Sequence, residues 1–386
     1  MSETKTKKRR IDTTNDENTI KAVEFFSGIG GLHYGLEYAL PNATVVASFD
    51  TNTNANQVYE HNFHLKPSTK GIERITPQFL DKYNANCWLL SPPCQPYTQG
   101  GKKLDVKDAR AAGLLNLIAI LPNLTVKPKV FFLENVPNFE ISESRNELYR
   151  VLDSLNYHID EFLVSPVILG IPNDRKRYYL AAYLDGSKPT ENPDVTDISR
   201  IHRNFTTYCS NLKETDNTEV QSLANYLELL TDEEMTPYLV KPADIRKRTN
   251  FQFDVVQPGG NHSSTFTKAY GTHHFFGSGS FLQTHNLDVS HPCINSQSPF
   301  DTIDNELLIS CKPRFFTPTE VARLHYFPID EVVGSNGHSF SFHPKTTLSQ
   351  KWKLLGIHHL LMYLGNSLNC KVVGTILKTL ISKAEL

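Results

Sequence analysis

The sequence predicts an α/β protein: a doubly wound, mostly parallel sheet accompanied by a smaller second region. Three observations carry this expectation. Short apolar runs alternate with stretches of helical spacing from residue 21 to about 186, the pattern of parallel strands joined by right-handed crossovers. A glycine-rich turn, SGIGG at 27–31, links the first strand to the first helix. The alternation stops near 186, and helical patterns return only after 313.

Taken in order, KAVEFF (21–26) reads as a strand and GLHYGLEYAL (31–40) as a helix. TVVASFD (44–50) is the second strand, TNANQVYEHNF (53–63) a helix and CWLL (87–90) a third strand. ARAAGLLNLIAIL (109–121) has helical spacing, and KVFFLENV (129–136) is a fourth strand. The helix ESRNELYRVLDSLNY (143–157) precedes two more strands, HIDEFLVSP (158–166) and RYYLAAYL (177–184). Beyond 186 the chain is polar and irregular, with one helix predicted over EVQSLANYLELL (219–230). In the tail, TPTEVARLHYF (317–327) opens on Thr317 with Pro318 and Glu320, the signature of a capping box with proline at the first helical position. TLSQKWKLLG (347–356) and LNCKVVGTILKTLISKAEL (368–386) complete the helices. The expected division is a disordered leader over 1–20, a main domain from 21–186 and 313–386, and a second domain over 187–312.

Composition narrows the functional classes. The 39 basic and 41 acidic residues nearly cancel, so nucleic-acid binding has to use local patches. Six cysteines are scattered without a CxxC pair. A disulfide framework and a structural zinc site are therefore not expected, and no metal is. LLNLIAIL (114–121) is too short to cross a bilayer. The polar N-terminus is no secretory signal. Its KTKKRR (5–10) is read as a solvated leader ahead of a nuclear-entry signal. Location in cytoplasm, nucleus or both is the expectation.

Chemistry concentrates at the predicted strand ends. SPPCQPYTQGG (91–101) places Cys94 on a proline-stiffened loop just past the third strand, where open α/β sheets bind ligands. Glu134 ends the apolar FFL run of the fourth strand. Desolvation there raises a carboxyl pKa and makes a proton donor. Arg175 and Arg177 alternate along an extended segment and share a face, suiting a carbonyl oxygen or a phosphate. The turn around Gly28, Gly30 and Gly31 is neither GxGxxG nor a P-loop. With Asp50 at the second strand's end to meet ribose hydroxyls, it suggests an adenosyl ligand without a pyrophosphate. Thiol, proton donor and anion-binding pair together describe covalent catalysis on an electron-poor ring.

The blocks FSGIGG, SPPCQPYTQGG, ENV, PNDRKRYY and LGNSLN (364–369), in this order, resemble the cytosine-C5 methyltransferases. Stretches such as LENVPNFEIS and SSTFTKAYGTHHFFGSGSFLQT resemble the branch called DNA methyltransferase 2, whose members methylate transfer RNA. Thr265 stands where that branch usually has cysteine. The resemblance implies a Rossmann-like fold dependent on S-adenosyl-L-methionine, a target-recognition region over 187–312, and a monomer. It implies that Cys94 adds to C6 of cytosine, Glu134 protonates N3, Arg177 holds O2, and Arg175 orients Glu134 and the loop. It places the cofactor along Phe26, Ser27, Gly28, Gly30, Gly31, Asp50, Ile72, Pro92, Asn366 and Ser367. The resemblance alone implies the substrate, cytosine 38 of tRNA-Asp; a loop nucleotide is turned out of its stack at least cost, which favours an anticodon loop over duplex DNA. Lys102, Lys103, Lys107 and Arg110, with Thr265, Phe266, Thr267 and Lys268, are the expected RNA contacts, and Arg246, Lys247 and Arg248 further candidates. Duplex DNA is the alternative substrate. A non-catalytic RNA-binding protein and a cysteine hydrolase are remoter readings.

Overall fold

The computed structural model describes residues 19–97, 104–185, 194–205, 208, 219–248, 251–272, 277–288, 305–329, 339–342 and 353–386. The basic run 5–10, Lys102, Lys103 and the predicted helix start at 347–352 lie outside them. Ile20, assigned to the leader from sequence, is already fully buried core.

Six strands form one sheet: β1 (Lys21–Phe25), β2 (Thr44–Phe49), β3 (Cys87–Leu90), β4 (Val130–Asn135), β5 (Tyr157–Val164) and β6 (Arg177–Leu184), in the order β2-β1-β3-β4-β6-β5. The first four pair in parallel, with Phe49, Phe25, Leu90 and Leu133 side by side near their carboxyl ends. β3 and β4 are buried along their whole length, as strands covered on both faces must be. β6 runs opposite to both its neighbours. That reversal brings its first residue, Arg177, to the edge where the parallel strands end.

Helices α1 (Gly31–Ala39), α2 (Thr53–Phe63), α4 (Ala112–Ile120) and α5 (Glu143–Ser154) follow the predicted order, and a short helix that was not expected, α3 (Pro77–Asp81), precedes β3. The tail returns as helices Lys353–Asn366 and Cys370–Lys383. The latter crosses α1 closely: a Cβ on Gly35 would lie 2.3 Å from Val373, and one on Gly374 2.3 Å from Tyr38. Residues 357–383 have the length and hydropathy of a membrane span, yet 78% of that stretch's most apolar window is buried inside the protein. It is core.

The second region is thinly ordered by its backbone. It has two two-residue strands, β7 (Val255–Val256) and β8 (Phe281–Leu282), and a small core of Val240, Ile245, Phe253, Val255, Phe281 and Leu308. Phe266, Tyr270 and Leu282 belong instead to the main core. The helix predicted over 219–230 is only a short turn at Leu223–Tyr226. Its amides are spent elsewhere: Gln221, Leu223 and Ala224 donate to the carbonyls of Gly170, Gly260 and Pro258.

Candidate active site

The glycine turn follows β1 because three of its residues take left-handed backbone angles, Phe26 (φ 57°), Gly28 (φ 53°) and Gly30 (φ 92°). Phe26 pays steric strain for this where glycine does not. Gly28 donates its amide to Asp50 Oδ2 at 2.8 Å, and Asn52 donates to Oδ1 at 2.7 Å. Asp50 is thus fixed beside the turn, with burial raising its pKa. A side chain at Gly28 would meet nothing within 4 Å, so its Cα faces open space. Gly30 behaves differently: a Cβ there would strike the Phe63 ring at 2.2 Å. Gly30 is the one residue of the predicted cofactor set that does not line the cavity, since it packs toward α2.

The cavity has a volume of about 540 Å³. Phe26, Ser27, Gly28, Gly31, Asp50, Ile72 and Pro92 line it, with Asn366 and Ser367 from the tail. Cys94, Glu134, Arg175 and Arg177 border the same space. One apolar side is narrow, because a Cβ on Gly113 would come within 3.0 Å of Phe26 and 3.4 Å of Ile72.

Glu134 and Arg177 meet across the β4–β6 pair at 3.6 Å. Ser91 donates to Glu134 Oε2 at 2.7 Å. Burial raises the Glu134 pKa, opposed by Arg177, Ser91 and Arg175, in the direction the Phe131–Leu133 run predicts. Asn135 Nδ2 donates to the Pro92 carbonyl at 3.2 Å, tying the cysteine loop to β4. Cys94 is half-buried. The sequence suggests that nearby cations favour its thiolate, but its pKa is raised: burial and the Glu134 carboxylate outweigh Arg177 and Lys268. The resting side chain is therefore a thiol.

Arg175 reaches Glu134 through its charge alone and spends its hydrogen bonds on loop backbone. It makes no hydrogen bond to Glu134; its guanidinium donates to the carbonyls of Phe266, Gly365 and Ser367. Burial, reinforced by Arg177, lowers its pKa to about 9.

The expected RNA contacts divide. Phe266 is fully buried and offers no surface to a ligand; it packs edge-on to Tyr270 and Phe316. Thr265 Oγ1 donates to the Asp174 carbonyl at 2.7 Å, while the Thr267 amide donates to the Ser278 carbonyl at 2.9 Å. Lys268 is exposed and close enough to Cys94 to lower the thiol's pKa. Lys107 is exposed. Arg110 lines the cavity but forks onto Asp108 at 2.9 and 2.7 Å. Arg246 is likewise engaged, with Glu306 at 2.7 Å. Ser91, Gly113 and Tyr363 border the cavity without having been singled out from sequence. Only Ser91 carried a signal, its place at the end of a strand beside the prolines.

Residues 20–382 match the family described as C-5 cytosine-specific DNA methylase. A DNA (cytosine-5)-methyltransferase of Dictyostelium discoideum is 33% identical, covering 95% of each chain. The human tRNA (cytosine(38)-C(5))-methyltransferase is 32% identical over 94% of this chain and 99% of that one. The crystal structure of the S. pombe Dnmt2 methyltransferase superposes with a TM-score of 0.74 at 28% identity, covering 95% and 100% of the two chains.

Proposed function

The chain belongs to the C-5 cytosine-specific DNA methylase family, and from that premise we propose that it methylates cytosine 38 in the anticodon loop of tRNA-Asp, with S-adenosyl-L-methionine as donor. The observation that carries this reading is the convergence of Cys94, Glu134 and Arg177 on one cavity whose other end is the glycine turn. The cavity suits the donor in size and chemistry. Its volume is within the usual range for a small-molecule site. The slot beside Gly113, Phe26 and Ile72 takes a flat adenine. Each Asp50 oxygen, already accepting one amide, keeps a lone pair for a ribose hydroxyl.

Bound S-adenosyl-L-methionine supplies a methyl group electrophilic enough for carbon to attack. The chain's residues make C5 of cytosine the attacking carbon. The Cys94 thiol releases its proton to solvent and Sγ bonds to C6, while Glu134 in its acid form gives a proton to N3 and Arg177 holds O2. Electron density then flows to C5. After methylation, loss of the C5 proton to solvent expels Cys94 as thiolate, which regains a proton from solvent, and Glu134 takes back the N3 proton. Burial, by raising the Glu134 pKa, shifts this carboxyl toward the acid form that the step needs. That same protonation removes the negative charge that holds the Cys94 proton on, so the donor form of one residue favours the nucleophilic form of the other.

RNA is favoured over duplex DNA by several full-length relatives named for tRNA cytosine 38, and by a recognition region whose described residues hold no helix longer than six residues to enter a groove. Exposed Lys268, near enough to Cys94 to act on its thiol, and exposed Lys107, three residues before the cavity-lining Arg110, would seat phosphates. Supplying labelled methyl donor with tRNA-Asp transcript and, separately, duplex DNA tests this. Label in tRNA, lost when cytosine 38 is replaced by uridine, is expected; preferential labelling of the duplex overturns the RNA assignment in favour of the DNA reading that the Dictyostelium relative's name carries.

A further inference from the structure

Arg175 lies two residues before the Arg177 that meets Glu134 and borders the same cavity, yet every hydrogen bond of its guanidinium goes to backbone. It is 2% exposed. Nη1 donates to the Phe266 carbonyl at 2.8 Å, and Nη2 donates to the Gly365 carbonyl at 3.1 Å and to that of Ser367. Phe266 sits in the segment between Thr265 and Lys268. Gly365 and Ser367 belong to the tail turn that walls the cavity. These two segments touch backbone to backbone: a Cβ on Gly365 would lie 2.3 Å from the carbonyl carbon and oxygen of Thr267. The loop carrying Arg175 is pinned to the same segment. Asp174 donates its amide to Ser263 O at 2.7 Å, Asn173 Nδ2 donates to Ser264 O at 2.9 Å, and Thr265 Oγ1 donates to Asp174 O.

We propose that Arg175 is a positioning residue that couples occupancy of the 265–268 segment by RNA to occupancy of the cavity by the methyl donor. A buried guanidinium whose charge is met by three carbonyls tolerates no loss of them, because an under-solvated buried cation is costly. When RNA displaces Thr265–Lys268, the Phe266 carbonyl moves. The clamp and the bare Gly365–Thr267 contact carry that displacement to Gly365, Asn366 and Ser367. The donor then meets a wall already set by RNA, and by reciprocity the donor sets the surface that RNA meets. This coupling rests on the functional reading above, in which the cavity takes the donor and Lys268, at the end of the 265–268 segment, meets the RNA.

The test uses S-adenosylhomocysteine, which binds without reacting, and tRNA-Asp transcript, by calorimetry on the full chain. Wild type is expected to bind S-adenosylhomocysteine about fivefold or more tightly when saturated with RNA, the low end of ordinary coupling. Arg175→Lys, which keeps the charge but not the forked donors, is expected to bind each ligand alone while that ratio falls toward one. Gly365→Ala, which forces the two backbones apart, is expected to do the same and serves if Arg175→Lys fails to fold. Hydrogen exchange at 365–368 in wild type is expected to slow when RNA alone is added. Absence of coupling in wild type, a ratio unchanged in the folded variants, or unaltered exchange at 365–368 overturns the proposal. Failure of wild type to bind either ligand by itself overturns the functional reading instead, and appears in the single-ligand titrations.

Discussion

The sheet edge and the 251–288 region both border the active site, but they are built in different ways. Cys94, Glu134 and Arg177 hang from strands whose backbone ladders fix their ends together. Among its described residues the 251–288 region has β7 and β8 as its strands, and single side chains do the work of a ladder. The Asp254 carboxylate accepts from Ser264 and Ser280 hydroxyls at 2.5 and 2.6 Å. Tyr270 donates to the Ser280 carbonyl at 2.6 Å and accepts from the Phe316 amide at 2.8 Å. Gln283 Nε2 donates to the carbonyls of His285 and Asn286. A ladder shares load across many bonds, whereas a clamp fails when one partner is removed. Changes at the sheet edge should therefore appear in kcat with the fold intact, and changes in the clamps in the KM for RNA.

Cys94→Ala is expected to give the largest effect. Losing the nucleophile should lower kcat by on the order of 10⁴-fold or more, while S-adenosylhomocysteine and tRNA still bind in titrations. Methyl transfer near the wild-type rate would remove Cys94 from the chemistry. Glu134→Gln sharpens the same point. Loss of the proton donor should lower kcat by about 10²–10⁴-fold. Because the carboxylate is a cause of the raised thiol pKa, alkylation of Cys94 by iodoacetamide at pH 8 should become faster in this variant. Slower alkylation would mean that Glu134 assists the thiolate rather than opposing it.

The same contrast explains what the sequence made legible. Elements held by local or periodic interactions were readable: the capping box of Thr317 and Glu320 is present as spelled, and the apolar run before Glu134 announced its burial. Strand direction was not readable, since alternation looks the same both ways, so β6's reversal was hidden although it brings Arg177 to Glu134. Arg175 was singled out, but its acceptors are backbone carbonyls 91, 190 and 192 residues away, which no side-chain pattern encodes. The helix expected at 219–230 failed for a related reason. Its apolar spacing was helical, but distant carbonyls took its amides.

Asp254→Ala tests the clamp side. It leaves the Ser264 and Ser280 hydroxyls without their acceptor, a loss of about 1–3 kcal/mol. The KM for tRNA should rise by about fivefold or more, with kcat within roughly a factor of two, since Glu134 and Arg177 stay on their ladder. A fall in kcat with unchanged KM would erase the distinction between the two regions.

The smallest expected effect lies inside the scaffold, beneath the glycine turn. Glu24 is fully buried in β1; Tyr59 donates to its Oε2 at 2.7 Å and pairs with His33 Nδ1 at 2.8 Å. Burial, only partly offset by the Tyr59 hydrogen bond, raises its pKa to about 8. The folded chain thus holds a proton here that the unfolded chain releases near pH 4.5. Between those values the native state binds more protons, so this group makes stability fall as pH rises, with no further loss above about 8. Glu24→Gln removes that titration while keeping an amide oxygen for Tyr59. Urea midpoints at pH 5.5, 7 and 8.5 should decline less steeply in the variant than in wild type, with kcat little changed. Parallel declines would mean that Glu24 is ionised in the native protein at neutral pH, held by its hydrogen bonds against its burial. The ladder would then be carrying a buried charge within the element whose sequence, KAVEFF, reads as a plain apolar strand.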